Sequence, residues 1–428
     1  MSLFNFLFLT NMKKGLFFLG FIASFQLQAQ TYVHQVLVVN EGYFDYQTNQ
    51  ILTPVTIGSY NPSTQQYAVV DTLENMRFAS DLVIDGDFYY VAADSKIFKF
   101  DLNSHQELAS VNCPGVRNLA ISNNHLVATR GEYLQTYNSY LHVYDKINLQ
   151  LTAALDTVAG PKWACQNLVV VGNTVYVAVN NAYEWGNEKG LIGQLDLVSL
   201  QYGNEIDLGP EGKNPDNMFL FNNELITVNN KDWSGASVSK ISLSGIVNTQ
   251  NLANAVTGCG TSALRDDKLV YQISMENTLN DYNLINMSWV GPVNGITENF
   301  YDLAQDPVSG NLYASSTDFF STGKVLVFAP DNTELHQFNS GVSTGTIVFD
   351  VRAAAGLSEF TSNISVTPNP CHDLIQINGL DQNTSYSITN AEGKTMMKGT
   401  DASISLESFC SGIYYLHVNN STIKIIKQ

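Results

Sequence analysis

Ten aromatic side chains stand in polar stretches of this chain: Tyr43, Phe44, Tyr133, Tyr137, Tyr183, Trp185, Trp233, Tyr282, Phe319 and Phe320. They are interleaved with Asn, Asp and Glu. That mixture suits a ligand with flat apolar faces and polar rims, such as a glycan, a large planar cofactor or a protein partner. A second group is basic. Arg77, Arg117, Lys162 and Lys213 recur in successive linkers, with Trp163 and Asn214 beside two of them. In a chain of net charge -18, four gathered bases would make a local positive funnel for an anionic group. Catalytic patterns are missing. None of the seven His falls at metal-ligand spacing from another, and there is no G-x-S-x-G elbow, phosphate-binding Gly loop or H-E-x-x-H. No catalytic residue, resident cofactor or metal is therefore expected.

These residues must be held by a repeat. A polar residue, a short apolar strand, a tight turn and a second apolar strand recur six times. Asp81–Ile84 passes through Asp85-Gly86-Asp87 into Phe88–Ala92, and Asn167–Val171 turns at Gly172-Asn173 into Val175–Ala178. The others begin at Asn118, Asn217, Ser262 and Asp302. A seventh copy is split: Thr346–Phe349 has no following partner and Val36–Val39 no preceding one. Joining the two chain ends in one blade is how a β-propeller removes its open edge. The span gives roughly 47 residues per copy, the size of a four-stranded blade. The expected fold is all-β: a seven-bladed β-propeller over 30–356, followed by a small β-sandwich. The Asn, Asp and Gly between the first and second strands need only allow positive φ. The long, aromatic loops between the second and third strands put the ten rings on one face, where the linkers also open. The recurring Asp81, Asn118, Asn167, Asn217 and Asp302 read as turn caps of those linkers.

The ends carry other signals. Met12-Lys13-Lys14, an apolar run over Gly15–Phe25 and a small residue at Ala29 read as a signal peptide over 1–29. Residues 357–428 change character, with short alternating strands between Gly and Asn turns. Of the five Cys, Cys371 and Cys410 share this segment and could bridge it. With 44% apolar and 14% charged residues, the chain is not disordered. Its excess of 39 Asp+Glu over 21 Lys+Arg excludes nucleic acid as a natural partner.

The C-terminal segment resembles the type IX secretion (Por-type) sorting domain of Bacteroidetes. The matching residues are Pro368-Asn369-Pro370, Gly393-Lys394, Gly412-Ile413-Tyr414 and the terminal Lys424 and Lys427. The resemblance implies contact with the type IX machinery, passage across the outer membrane, and release or surface attachment. The repeat resembles YncE-like seven-bladed propellers, among them a Bacteroidetes surface-protein family of poorly known function (DUF5074). Some relatives there capture corrinoids beside an outer-membrane importer; other seven-bladed propellers are lactonases or lyases. The expected function is ligand capture at the cell surface, of a glycan, a corrinoid-like cofactor or a protein, with an outer-membrane importer as a further partner. A lactonase- or lyase-type enzyme and a purely structural surface-layer protein are the alternatives.

Overall fold

The computed structural model describes residues 31–253, 255–258, 261–354, 364–380, 384–418 and 421–428. The expected signal peptide, most of the linker to the C-terminal segment, and Cys259 lie outside them. The described residues form strands and no helix. They fall into two compact units, one of them Thr31–Ala353.

In that unit seven antiparallel sheets of four or five strands follow one another, besides a two-stranded one of Tyr43–Asp45 and Gln50–Thr53. The second runs Ala79–Asp85, Phe88–Ala93, Lys96–Asp101, Glu107–Asn112. The third to seventh repeat this order from inner strands Val116–Ser122, Cys165–Val171, Pro215–Phe221, Ser262–Arg265 and Asp302–Gln305. The first sheet is composite. Its inner strand, Thr344–Ala353, comes from the far end of the unit and pairs with Thr31–Asn40, which leads to Val55–Asn61 and Gln66–Leu73. The register sets Val36 against Phe349 and Val39 against Thr346. Inner strands of neighbouring sheets pack side by side, and the apolar core lies between the sheets: Leu37, Val91 and Phe100 fill one such layer, Val127, Val177 and Leu195 another. The result is a propeller-like ring.

Two local devices recur around it. The tight turn after the inner strand in the second to seventh sheets is made with positive φ at Gly86, Asn123, Gly172, Asn222, Asp266 and Gly310, where a Cβ is tolerated poorly unless the side chain is Asn or Asp. The turn after the third strand uses an Asx cap. Asn61, Asp101, Asp145, Asp196 and Asn283 each accept two backbone N–H groups with Oδ1. The residue four positions on then takes positive φ: Gln65, His105, Leu149, Leu200 and Met287. The acidic ending of the third strand is thus a turn device repeated from sheet to sheet.

A Tyr on the outer strand covers a Gly on the third strand in two sheets. A Cβ on Gly58 would meet the Tyr67 ring, and one on Gly193 the Tyr202 ring. Tyr202 donates its hydroxyl to Glu205 (2.8 Å), so it cannot swing away freely. Gly193→Ala should therefore lower stability by about 1–3 kcal/mol through overpacking. The loss should shrink in a Tyr202→Ala background, since neighbouring residues couple. Urea midpoints of the four proteins check this; additive losses would show that the contact is not the cause.

The C-terminal unit has a three-stranded sheet (Ser365–Thr367, Leu374–Asn378, Ser403–Ser405) and a four-stranded one (Thr395–Gly399, Tyr386–Asn390, Gly412–Val418, Ser421–Lys427). Both contribute to one core, with Val366, Ile375 and Ile404 from the first and Ile388, Leu416 and Ile425 from the second. Asn369 clips the last strand, donating to Lys424 O (2.6 Å) and accepting from Ile426 N (2.9 Å). Lys427 pairs with Asp373 at 2.6 Å. Gly393 supplies the positive φ of a tight turn. The bridge between Cys371 and Cys410 is not formed: both are free thiols. Cys371 is buried in the core with its Sγ toward Ile426 O, whereas Cys410 is exposed.

Candidate functional site

One face of the ring holds a cavity of about 500 Å³. Its floor is built from the starts of the inner strands, so every sheet contributes: Asp81, Arg117, Asn167, Asp216, Thr261, Asp302 and Thr346 come from, or directly precede, the seven inner strands. Its wall comes from the linkers, with Phe78 and Tyr301, and from the loops after the second strands, with Glu41, Tyr133, Tyr183, Trp185 and Trp233. The volume lies within the range of about 300–1,000 Å³ usual for small-ligand sites.

The floor is tied together by polar groups. Asp81 accepts from Leu82 N (2.9 Å) and from Leu119 N of the next sheet (2.7 Å). Asn167 donates to Asn217 (3.5 Å), and Asn217 to Ser262 (3.1 Å). Asp302 takes backbone bonds from Leu303 and Ile347. These recurring residues face the channel and bridge neighbouring inner strands; they are not caps of the linker turns.

Four carboxyl groups line the cavity, ringed by protein yet facing its open space. Burial is the main influence on each. It pushes Glu41 up to about 7, against a Tyr301 hydroxyl bond (2.9 Å) and the attraction of Arg117. It pushes Asp216 up to about 7, against Arg117 and a bond from Asn230 (2.7 Å). Asp81 rises to about 6, and Asp302 to about 8, where Asp81 and Glu41 add repulsion. Gly345 makes room for Glu41, since a Cβ there would meet Glu41 Oε1.

Arg117 is the one base among the lining residues. Its guanidinium lies 5.7 Å from the Phe78 ring centroid and 5.4 Å from that of Tyr183. It forms no ion pair among the described residues, and its buried Nε has no partner. Burial works against the cation, yet Tyr183, Glu41, Tyr301 and Asp216 hold its proton more tightly than usual. The Asn118 Oδ1 and Trp233 Nε1 atoms are also buried without partners.

The expected crown of ten rings divides. Tyr133, Tyr183, Trp185 and Trp233 line the cavity, with Tyr133 and Trp185 exposed at its rim (60% and 76%). Tyr43 packs edge-on against Phe320 at 5.2 Å, Phe44 against Tyr46 at 4.8 Å, and Phe319 against Tyr301 at 4.9 Å. Tyr137 covers Arg130 at 4.0 Å and donates to Glu132 (2.7 Å). Tyr282 is not in a loop. It belongs to the strand Leu279–Asn283 and is 2% exposed in the core, because the loop ends earlier than the residue types suggest.

The expected four-base funnel is not formed either. Arg77 is neutralised by Asp94 and Glu132. Lys162 is exposed, with its Nζ 5.2 Å from the ring of a half-buried Trp163, and Lys213 is exposed. Neither these lysines nor Trp163 lines the cavity, so acids outnumber bases there. The residues missed were Glu41, Phe78, Asp216 and Tyr301. The signal for the floor was present, as a polar residue before each inner strand.

Residues 365–428 match the family model of the secretion system C-terminal sorting domain. The chain thus carries a type IX sorting tail, which implies export to the cell surface or the extracellular space. No curated protein matches the chain. Among solved structures, the chain is similar in fold to the extracellular domain of a putative one-component system, BT4673, from B. thetaiotaomicron. That likeness has 11% identity and a TM-score of 0.51, covering 94% of this chain and 59% of that one. A hypothetical selenium-binding protein from Sulfolobus tokodaii has 9% identity and a TM-score of 0.54, covering 74% of this chain and 94% of that one. Dihydro-heme d1 dehydrogenase NirN, in complex with DHE, has 13% identity and a TM-score of 0.51, covering 88% and 76%. This chain therefore spans 59% of the length of the BT4673 domain. At these identities the likeness concerns the fold alone.

Proposed function

We propose that the chain is an exported seven-bladed β-propeller with a C-terminal β-sandwich, and that it captures a ligand in the cavity on its loop face. The observation that carries this reading is the cavity itself: about 500 Å³, with aromatic walls and an unpartnered guanidinium on its floor. A concave site of that size favours a small molecule, or the end of a larger one, over a flat protein surface. Of the ligand classes weighed from the sequence, a glycan suits the mixture of rings and polar groups best. A corrinoid-like cofactor comes next, then a protein. Transfer to an outer-membrane importer is the role we assign to capture. The type IX tail and the propeller-like ring support a protein that works outside the cell.

Two of the four Trp, Trp185 and Trp233, line the cavity, so binding should be visible in fluorescence. Titration with saccharides and with corrinoids should change the emission and raise the melting temperature. Tyr183→Ala should reduce both effects at least tenfold, because ring faces dominate such contacts. If no ligand of any class changes either signal, the surface-layer reading takes over. A second reading is favoured by one observation: Glu41, Asp216 and Arg117 face the same cavity. Convergent acids and a cation are the parts of a lactonase- or lyase-type site. Turnover of a lactone or acidic saccharide that is lost in Glu41→Gln would decide for it.

A further inference from the structure

We infer that the cavity takes an acidic saccharide, with the sugar carboxylate on Arg117, hydroxyl groups on Glu41 and Asp216, and a sugar face against the aromatic wall. This deepens the capture reading and rests on it.

The argument begins with Arg117. A buried or half-buried guanidinium normally finds a carboxylate. Here four carboxyl groups line the same cavity, and none is ion-paired to it. Glu41 and Asp216 line the same cavity and are close enough to be influenced by the cation without pairing to it. The Phe78 and Tyr183 rings flank the guanidinium, which keeps it in place without using its N–H donors. A planar fork of donors with no protein acceptor matches a carboxylate in two-point geometry better than a neutral oxygen.

The other groups that line the cavity define the rest of the ligand. Glu41 already accepts from Tyr301, and Asp216 from Asn230. Each has a second oxygen that can meet a hydroxyl. A group that both donates and accepts would suit both acids, and sugar hydroxyls do both. An ammonium group would serve only acceptors, and it would need Glu41 and Asp216 ionised; burial resists that, whereas a hydroxyl meets either protonation state. The rings of Tyr183 and Trp233 supply flat faces for the C–H side of a sugar.

The test is calorimetry on the full secreted chain with galacturonic acid, glucuronic acid and N-acetylneuraminic acid, and with oligomers of the first. Galactose, glucose and glutamate serve as neutral and zwitterionic controls. The acidic sugars should bind at least tenfold more tightly than their neutral counterparts. Arg117→Met should remove that preference and Arg117→Lys should restore part of it, with the circular-dichroism spectrum of the free protein showing that each variant keeps the β fold. Equal binding of galactose and galacturonate, or tighter binding of glutamate, would overturn the saccharide-acid assignment while leaving a ligand cavity in place. So would acidic-sugar binding that Arg117→Met does not alter. Absence of binding by every acidic sugar overturns the assignment as well; the fluorescence screen with other ligand classes then tells whether the cavity reading falls with it.

Discussion

Replacing Asn40 with alanine should lower the stability of the ring by about 3–5 kcal/mol, far more than most polar-to-alanine changes. Asn40 is fully buried at the end of Thr31–Asn40. Its side chain uses its whole hydrogen-bonding capacity. Nδ2 donates to Thr56 Oγ1 (3.0 Å) and Tyr67 OH (2.9 Å). Oδ1 accepts from Gly341 N (2.9 Å) and Thr344 Oγ1 (2.7 Å). The first two partners belong to the N-terminal strands, the last two to the far end of the unit. One amide therefore joins both ends of the ring where it closes. The fit is tight, because a Cβ on Gly341 would meet Asn40 Cγ at 2.6 Å. Alanine leaves four groups without their partner in a site that water does not reach, each worth about 1–3 kcal/mol if nothing relaxes. Asn229 is a useful comparison. It bonds Thr227, Ser237 and Ser239, all within the fifth sheet, so Asn229→Ala should cost less. Urea unfolding of both variants measures this. A shift for Asn40→Ala no larger than that for Asn229→Ala would mean that closure does not depend on this amide.

The ring was legible because its devices repeat. A polar residue, an apolar strand and an Asn or Asp turn return often enough for the split copy at Val36–Val39 and Thr346–Phe349 to be recognised by what it lacks. Local chemistry fixes those turns, and local chemistry is what a sequence displays. The site was legible only in part, for the opposite reason. Whether Arg77 is a free base depends on Asp94 and Glu132, the latter 55 positions away and in the next sheet. Arg117 differs from it only by finding no such acid. Asp81 and Asp302 have the residue types of turn caps, and nothing local reveals that the turn of the chain aims them at the axis. Tyr282 went the other way: a Tyr among Asn and Asp resembles a loop residue, but the strand alternation Asn280, Tyr282, Leu284 buries it. The tail was the clearest part, because its motif residues, from Pro368-Asn369-Pro370 to Lys427, lie in order within one short segment.

Stability should fall as pH rises from about 5 to about 9, and the cavity acids should be the cause. Glu41, Asp81, Asp216 and Asp302 all hold their protons in the folded chain beyond the usual carboxyl range, to about 7, 6, 7 and 8. In the unfolded chain they ionise near their ordinary values, around 4. Between those limits the folded state binds more protons, so raising the pH favours unfolding. Their contribution is complete below about pH 4 and lost as pH passes through the folded values. Each acid with a tenfold higher proton affinity in the folded chain gives up about 1.4 kcal/mol on ionising. Other groups act at lower pH. Burial holds the His142 ring down to about 4, with Arg130 beside it. The unfolded chain then takes up that proton first, and stability is lost as pH falls from about 6.5 towards 4. Asp101, Asp156 and Asp196, held low by their turn bonds, lose their contribution only below the ordinary carboxyl range. The maximum should therefore lie on the acid side of neutrality, with the cavity acids making the alkaline flank. Denaturant midpoints measured across this range should show it, and Glu41→Gln or Asp216→Asn should flatten the slope. Arg117→Met should extend the fall to higher pH, because its charge holds both acids down. A stability that is flat or rising between pH 6 and 9 would mean that these four carboxyl groups are hydrated as freely as surface ones, and the floor of the cavity would then be too wet to select a ligand by charge.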